Sequence, residues 1–255
     1  MFSGLRYRMD LAWVLTQKEL KVRYKSSFLG YLWSVANPLA FAAAFYLAFR
    51  VIVRIPVENY PLFAAAGLFP WQWFLNSTSA AAVVFIRNAS LMKRVPFPTH
   101  YLVLAAVIHD MLHFLFAVPI IGIFAVAYHK PPSPALLWGV PLLLALQLAV
   151  TYGLCLVIAS VTLFFRDMER LVLIGLWLLF YLTPIIYPET MIPAKWLPML
   201  YFNPIAPLVI NWRRLFMEGN IVPHLAAASA LHAAVLVAAG RTVYRKLSWK
   251  FPEMV

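Results

Sequence analysis

Six stretches of this chain, 28–53, 60–86, 101–128, 135–165, 171–188 and 220–240, carry almost no charge over a length close to that of a membrane-crossing helix. Hydrocarbon offers a backbone no water to bond to, so each run must satisfy its own N–H and C=O groups and is read as a helix. Composition agrees. The 255 residues are 64% hydrophobic and 12% charged, with mean hydropathy +0.80, whereas soluble domains carry about 25% charged residues. A soluble fold of this length could not cover itself with so little polar material. The net charge of +12 could suit nucleic acid. However, the cations flank apolar runs, as membrane-bordering residues do, so no nucleic-acid partner is expected.

The fold class predicted is an all-α polytopic membrane protein in one domain, 1–255. It has an N-terminal amphipathic interfacial helix (1–27), a six-helix membrane domain (28–245) and a tail (246–255). No short apolar segment ending in a small-residue cleavage site is seen at the N-terminus, so no removed signal peptide is expected. From Asp10 to Lys25, Leu11, Val14, Leu15 and Val22 share a helical face opposite Lys18, Lys21 and Lys25, the pattern of a helix lying along a membrane surface. Placing both termini in the cytoplasm puts most of the 21 Lys and Arg residues inside. Residues 196–212, WLPMLYFNPIAPLVINW, are uncharged but contain Pro198, Pro204 and Pro207. These remove hydrogen bonds that lipid cannot replace. The segment is read as short re-entrant helices on the periplasmic side, between spans five and six: amphipathic loop helices, or a lid over an exit.

Little in the chain suggests an enzyme. It contains neither a G-x-x-x-x-G-K-[ST] phosphate loop nor an HExxH zinc signature, and no metal site is expected. Cys155, the single cysteine, reads as a small packing residue. His109, Asp110 and His113 form the one ionisable cluster within a span, either a polar packing link or a proton relay; the other spans offer only His224 and His232. The sequons at Asn76 and Asn88 fall within or at the end of a span and are discounted. Trp71 and Trp73 lie just after Pro70, while Tyr181, Tyr187, Trp196, Tyr201 and Phe202 gather toward the outer side. Interface belts account for such rings, and so does stacking on the apolar faces of sugars.

In chain order, the segments ELKVRYKSSFLGYLW (19–33), GLFPWQWF (67–74), LMKRVPFP (91–98), LFFRD (163–167), LTPIIYP (182–188) and FNPIAPL (202–208) resemble the motifs of polysaccharide-export ABC permeases. These are the transmembrane subunits of O-antigen, capsule or teichoic-acid exporters, and the likeness is to the Wzm-like O-antigen group. The resemblance implies a type-2 ABC exporter in the bacterial inner membrane: a homodimer of this chain with two copies of a separate ATPase, moving a lipid-linked polysaccharide from the cytoplasmic side to the periplasm. It implies no cofactor in this chain, with ATP and Mg bound by the partner. It implies ATPase coupling by Glu19, Arg23, Tyr24, Lys93, Arg94, Pro96, Phe97 and Pro98. Trp71, Trp73, Phe74, Tyr181 and Tyr187 would line the substrate channel, and Trp196, Tyr201, Asn203 and Pro204 would form the periplasmic gate. The other classes weighed are a proton-coupled secondary transporter using His109, Asp110 and His113, and a membrane-bound glycolipid-modifying enzyme.

Overall fold

A computed structural model describes residues 2–24, 36, 39–40, 43–52, 54, 57–130 and 133–254, with side chains for all of these except 2–5, 8, 22–24 and 252. The first expected span, 28–53, and the side chains of Arg23 and Tyr24 therefore lie largely or wholly outside the described residues. The described residues are almost entirely helical.

Helix α1 is Phe2–Tyr24, and a π-helical segment covers Tyr46–Ile52. There follow α2 (Tyr60–Ala81), two short helices α3 (Val84–Arg87) and α4 (Ala89–Arg94), and the long α5 (His100–Ala127) and α6 (Ala135–Thr162). Next come α7 (Met168–Leu182), 3-10 turns at Glu189–Met191 and Ala194–Tyr201, α8 (Ala206–Glu218), α9 (Pro223–Leu247) and the terminal α10 (Phe251–Met254). Among the described residues three helices are long and apolar enough to cross a membrane: His100–Ala127, Ala135–Thr162 and Pro223–Lys250.

Two expected boundaries move for chemical reasons. The run 171–188 is helical only to Leu182, because Pro184 disfavours helical geometry at Thr183, which turns extended (φ −102°, ψ 132°). Within 60–86, α2 stops at Ala81 and the chain restarts as a separate turn of helix at Val84.

The core is organised around α2. Its buried side chains point in nearly every direction, from Tyr60 through Trp73 and Phe74 to Ala81, as befits a helix surrounded by others. It packs against α5, α6, α7 and α8. A second contact joins α6 to α9. There Gly153 and Gly240 meet back to back: a Cβ added to Gly153 would lie 2.5 Å from the Leu236 carbonyl carbon, and one on Gly240 would lie 2.6 Å from the Gly153 carbonyl oxygen. Small residues that let backbones touch are the usual adhesive between helices in lipid, where burial against another helix gains little over burial in acyl chains.

Helix α1 differs from the expected amphipathic pattern. Leu15 and Thr16 are buried and the helix packs on α5, but Val14 is 59% exposed and does not share that packed face. At 3.6 residues per turn Lys18 and Glu19, three and four residues after Leu15, fall within about 60° of it, so the packed face carries them as well.

Candidate functional site

Three hollows among the described residues bear on the expected sites. Glu19, Asn76, Ser79, Arg87, His109 and Asp110 are among the residues around the first, of about 410 Å³. Trp71, Trp177, Phe180 and Tyr181 supply an aromatic wall to the second, about 420 Å³, with Gln72, Asn76 and Ser79 as its polar residues. Asn76 and Ser79 belong to both. A third, of about 630 Å³, is edged by Tyr187, Trp196, Phe202, Asn203 and Pro204. It is tied to the second by the Tyr187 hydroxyl, which donates to the Tyr181 carbonyl at 2.7 Å.

Helical spacing explains the polar side of this path. Gln72, Asn76 and Ser79 recur at intervals of four and three along α2, placing them on one stripe. The same periodicity separates the aromatics. Trp71 lies against Phe180 at 5.6 Å between ring centroids and borders the second hollow. Trp73, two residues on, is about 200° away around the helix. Its indole donates to the Val107 carbonyl at 3.1 Å and stacks on Phe114. Phe74 is completely buried. Trp73 and Phe74 are thus core residues, and neither borders the hollow that Trp71 and Tyr181 share. Tyr181 is 61% exposed.

Behind the first hollow runs a buried polar chain. The Ser77 hydroxyl donates to Asp110 Oδ2 at 2.9 Å, and Asp110 Oδ1 stands 3.2 Å from His109 Nδ1. His109 Nε2 in turn lies 3.2 Å from His113 Nε2. Neighbouring His109, together with Ser77 on α2, supplies these Asp110 contacts. Such a chain satisfies groups that would otherwise be orphaned in an apolar interior.

At the third hollow the turns between α7 and α8 are fastened to their neighbours. Asn203 Nδ2 donates to the Thr183 hydroxyl at 2.9 Å, while its Oδ1 accepts from the backbone N–H groups of Ile205 and Ala206, pinning the start of α8 to the end of α7. Pro204 follows directly, and Trp196 and Tyr201 remain nearly half exposed. Arg213, buried on α8, donates through Nη2 to the carbonyls of Pro184 at 2.6 Å and Ile185 at 2.8 Å. Its guanidinium lies 3.7 Å from the Phe63 ring centroid, and Nη1 stands 3.7 Å from Glu189 Oε2. Burial pulls the Arg213 pKa down to about 10, with Glu189 opposing the fall, so it stays charged at neutral pH. Arg214 donates to Glu189 Oε1 at 2.9 Å, and that bond raises its pKa. Sequence reasoning passed over Arg213 and Glu189, although two adjacent arginines beside a proline-rich apolar segment were a visible signal.

At the other end, Lys93 and Arg94 are exposed in the last turn of α4, and Val95 leads in extended geometry to exposed Pro96 and Pro98. Phe97 is half buried and packs on the core, so it anchors this turn as well as presenting an edge. Glu19 is partly exposed and pairs with Lys18 at 3.4 Å, and the Lys18 ammonium also donates to the Asn88 side-chain oxygen. That bond links α1 to the junction of α3 and α4, joining two of the expected coupling segments through residues that the sequence reading left aside.

The family model described as ABC-2 type transporter matches residues 10–216. The chain is 41% identical to an O-antigen export system permease protein RfbA of Klebsiella pneumoniae, over all of this chain and 98% of that protein. It is 32% identical to an O-antigen export system permease protein RfbA of Myxococcus xanthus, over 94% of each. A polysialic acid transport protein KpsM of Escherichia coli is 23% identical over 86% of each.

Proposed function

Because the chain belongs to the ABC-2 type transporter family, we propose that it is the membrane-spanning permease subunit of an ATP-driven exporter moving a lipid-linked polysaccharide, O-antigen in class, from the cytoplasmic side of the bacterial inner membrane to the periplasm. The observation that carries this reading is the 41% identity to an O-antigen export permease along the whole chain. With no phosphate loop in its sequence, the subunit draws on a separate ATPase that binds ATP and Mg. The assembly is two permeases with two ATPases, both permease termini facing the cytoplasm.

A long polymer must slide, so its conduit cannot grip each sugar with many strong bonds. The three hollows support such a path: an inner polar section, an aromatic section at Trp71 and Tyr181, and an outer section at Tyr187, Trp196, Asn203 and Pro204, with Tyr201 on the outer turns. The second hollow lies open between α2 and α7, where a second copy of the chain would close it. Glu19, Arg23, Tyr24, Lys93, Arg94, Pro96, Phe97 and Pro98 receive the motor's push. Pro96 and Pro98 fix φ and limit bending, while Lys93 and Arg94 meet acidic groups of the ATPase. The run 28–53, α2 and the short α7 join the three long helices in a six-span domain, with 1–27 interfacial, 28–245 in the membrane and 246–255 as a cytoplasmic tail.

The test is reconstitution. The purified chain alone should hydrolyse no ATP, and a P-loop subunit should copurify with it. A strain lacking the chain should lose its surface polysaccharide and regain it on complementation. Surface polysaccharide that stays at wild-type level in the deletion strain would overturn the assignment.

A further inference from the structure

The inner hollow has features that a mere passage does not require. A sliding path calls for weak, interchangeable contacts, yet here carboxylate, imidazole, guanidinium, amide and hydroxyl groups converge on about 410 Å³, a volume within the roughly 300–1,000 Å³ of small-ligand pockets. The groups come from separate elements: Glu19 from α1, Asn76 and Ser79 from α2, Arg87 from α3, and His109 and Asp110 from α5. His109 and Asp110 are almost fully buried, and Ser77 holds Asp110 in place from behind at 2.9 Å. Intramembrane ionisable groups are expensive to retain, and they mark function when they face a cavity.

The chemistry narrows the ligand. At and beside the hollow the formal charges cancel, Arg87 and Lys18 against Glu19 and Asp110. A phosphate would meet two carboxylates and find no surplus of cation, and a metal ion would meet Arg87. A neutral ligand rich in hydroxyls suits alternating donors and acceptors, since each hydroxyl both donates and accepts. Resting on the function proposed above, we infer that the inner hollow is a recognition site for one or two uncharged sugar units of the exported glycan. Its occupancy clamps α1 to α2 and α5, because Glu19 is the α1 group at its edge and Asn88 already fastens Lys18 to the junction of α3 and α4. Sugar held here is therefore reported to the helix that carries the coupling motif, whereas the aromatic section beyond Asn76 and Ser79 passes any sugar.

The experiment uses the assembled permease–ATPase complex with Val83→Cys, a position that lines the inner hollow and neither of the others, and Lys250→Cys on the exposed tail as control. Cys155 is completely buried, so the wild-type chain supplies the background. The probe is a short oligosaccharide released by mild hydrolysis from the surface polymer of the same strain, and the readout is the labelling rate with a polar thiol reagent. With oligosaccharide at about ten times its dissociation constant, labelling of Val83→Cys should slow about tenfold while the control is unchanged. Unchanged labelling of Val83→Cys, in a complex that restores surface polysaccharide, overturns the recognition site and leaves the exporter assignment standing. If the wild-type complex restores no surface polysaccharide in the deletion strain, the exporter assignment fails and the inference falls with it. Val83→Phe, which fills the inner hollow and leaves the aromatic one open, gives a second measure: export should drop to a small fraction of wild type with subunits still copurifying, and undiminished export counts against the site.

Discussion

Gln147 of α6 and Trp212 of α8 are locked together: the indole N–H donates to the amide oxygen at 2.7 Å, and the Gln147 amide nitrogen donates to the Pro70 carbonyl of α2 at 2.8 Å. One fully buried amide thus ties three helices together in the interior. Gln147→Leu keeps the bulk but leaves the buried indole N–H without its partner, and an orphan of this kind costs about 1–3 kcal/mol. The variant should melt at a lower temperature in detergent than wild type. An unchanged melting curve would mean that this group finds another partner.

The contact of α6 with α9 makes a second prediction. Gly153→Ala would put a methyl carbon against the Leu236 and Val237 backbone, which cannot rotate away as a side chain could. Overpacking of this kind costs about 1–3 kcal/mol. Gly175, whose Cβ would meet nothing within 4 Å, is the matched control. Gly153→Ala should lower the yield of folded protein and Gly175→Ala should not; equal yields would remove the close approach from the account of how α9 is held.

How far the sequence reveals this architecture depends on how uninterrupted each pattern is. The runs 101–128 and 135–165 became α5 and α6 within three residues at either end, because the demand that lipid places on the backbone holds each helix through its single internal proline, Pro119 or Pro141. The run 171–188 misled because apolarity alone ignores Pro184. Grouping Trp71 with Trp73 failed for a related reason: nearness in sequence is not nearness on a helix, and a count at 3.6 residues per turn would have separated them. The same count would have picked out Gln72, Asn76 and Ser79, which were overshadowed by the aromatics. The partners of Arg213 and Lys18 were out of reach, because the Pro184 and Ile185 carbonyls and Asn88 are distant in the chain and only the fold brings them close.

Arg213 supports a prediction about the outer segment. Its planar fork reaches two successive carbonyls and leans on the Phe63 ring, a geometry that a lysine ammonium cannot copy. Arg213→Lys preserves charge but should loosen the turn at 183–189, and trypsin should then cut the intact protein several-fold faster after exposed Lys195. Glu189→Gln should act in the same direction but more weakly, since Arg213 keeps its carbonyls. Cleavage at the wild-type rate in Arg213→Lys would show that the fork is not what holds the segment.

The basic turn after α4 should behave differently from any core position. Lys93 and Arg94 are exposed and make no part of the packed interior. Lys93→Ala with Arg94→Ala should therefore leave expression and melting unchanged, as exposed substitutions mostly do, and yet lower export per ATP hydrolysed in the assembled complex. Phe97→Ala should add a stability loss, because that ring packs on the core. If the double variant exports with wild-type economy, the turn is only a positively charged flank.

The aromatic residues give the sharpest contrast, because neighbours in sequence should fail in different ways. Trp71 and Tyr181 border the open second hollow, while Trp73 and Phe74 fill the interior of the chain. Large aromatic-to-alanine changes in a core cost about 3–5 kcal/mol, so Trp73→Ala and Phe74→Ala should reduce assembled complex and export together, leaving export per complex near normal. Tyr181→Ala removes a ring that is mostly exposed, and little stability should go with it. Trp71 is enclosed by Phe74 and Phe180 and should show some loss of both kinds. The measurement is surface polysaccharide divided by the amount of permease–ATPase complex recovered from the same cells. Tyr181→Ala should lower that ratio and Trp73→Ala should not, because a flat ring beside the path gives the polymer a face to slide on whereas a ring in the core gives it nothing. Equal ratios for the two variants would assign Tyr181 to the lipid boundary and move the path away from the groove between α2 and α7.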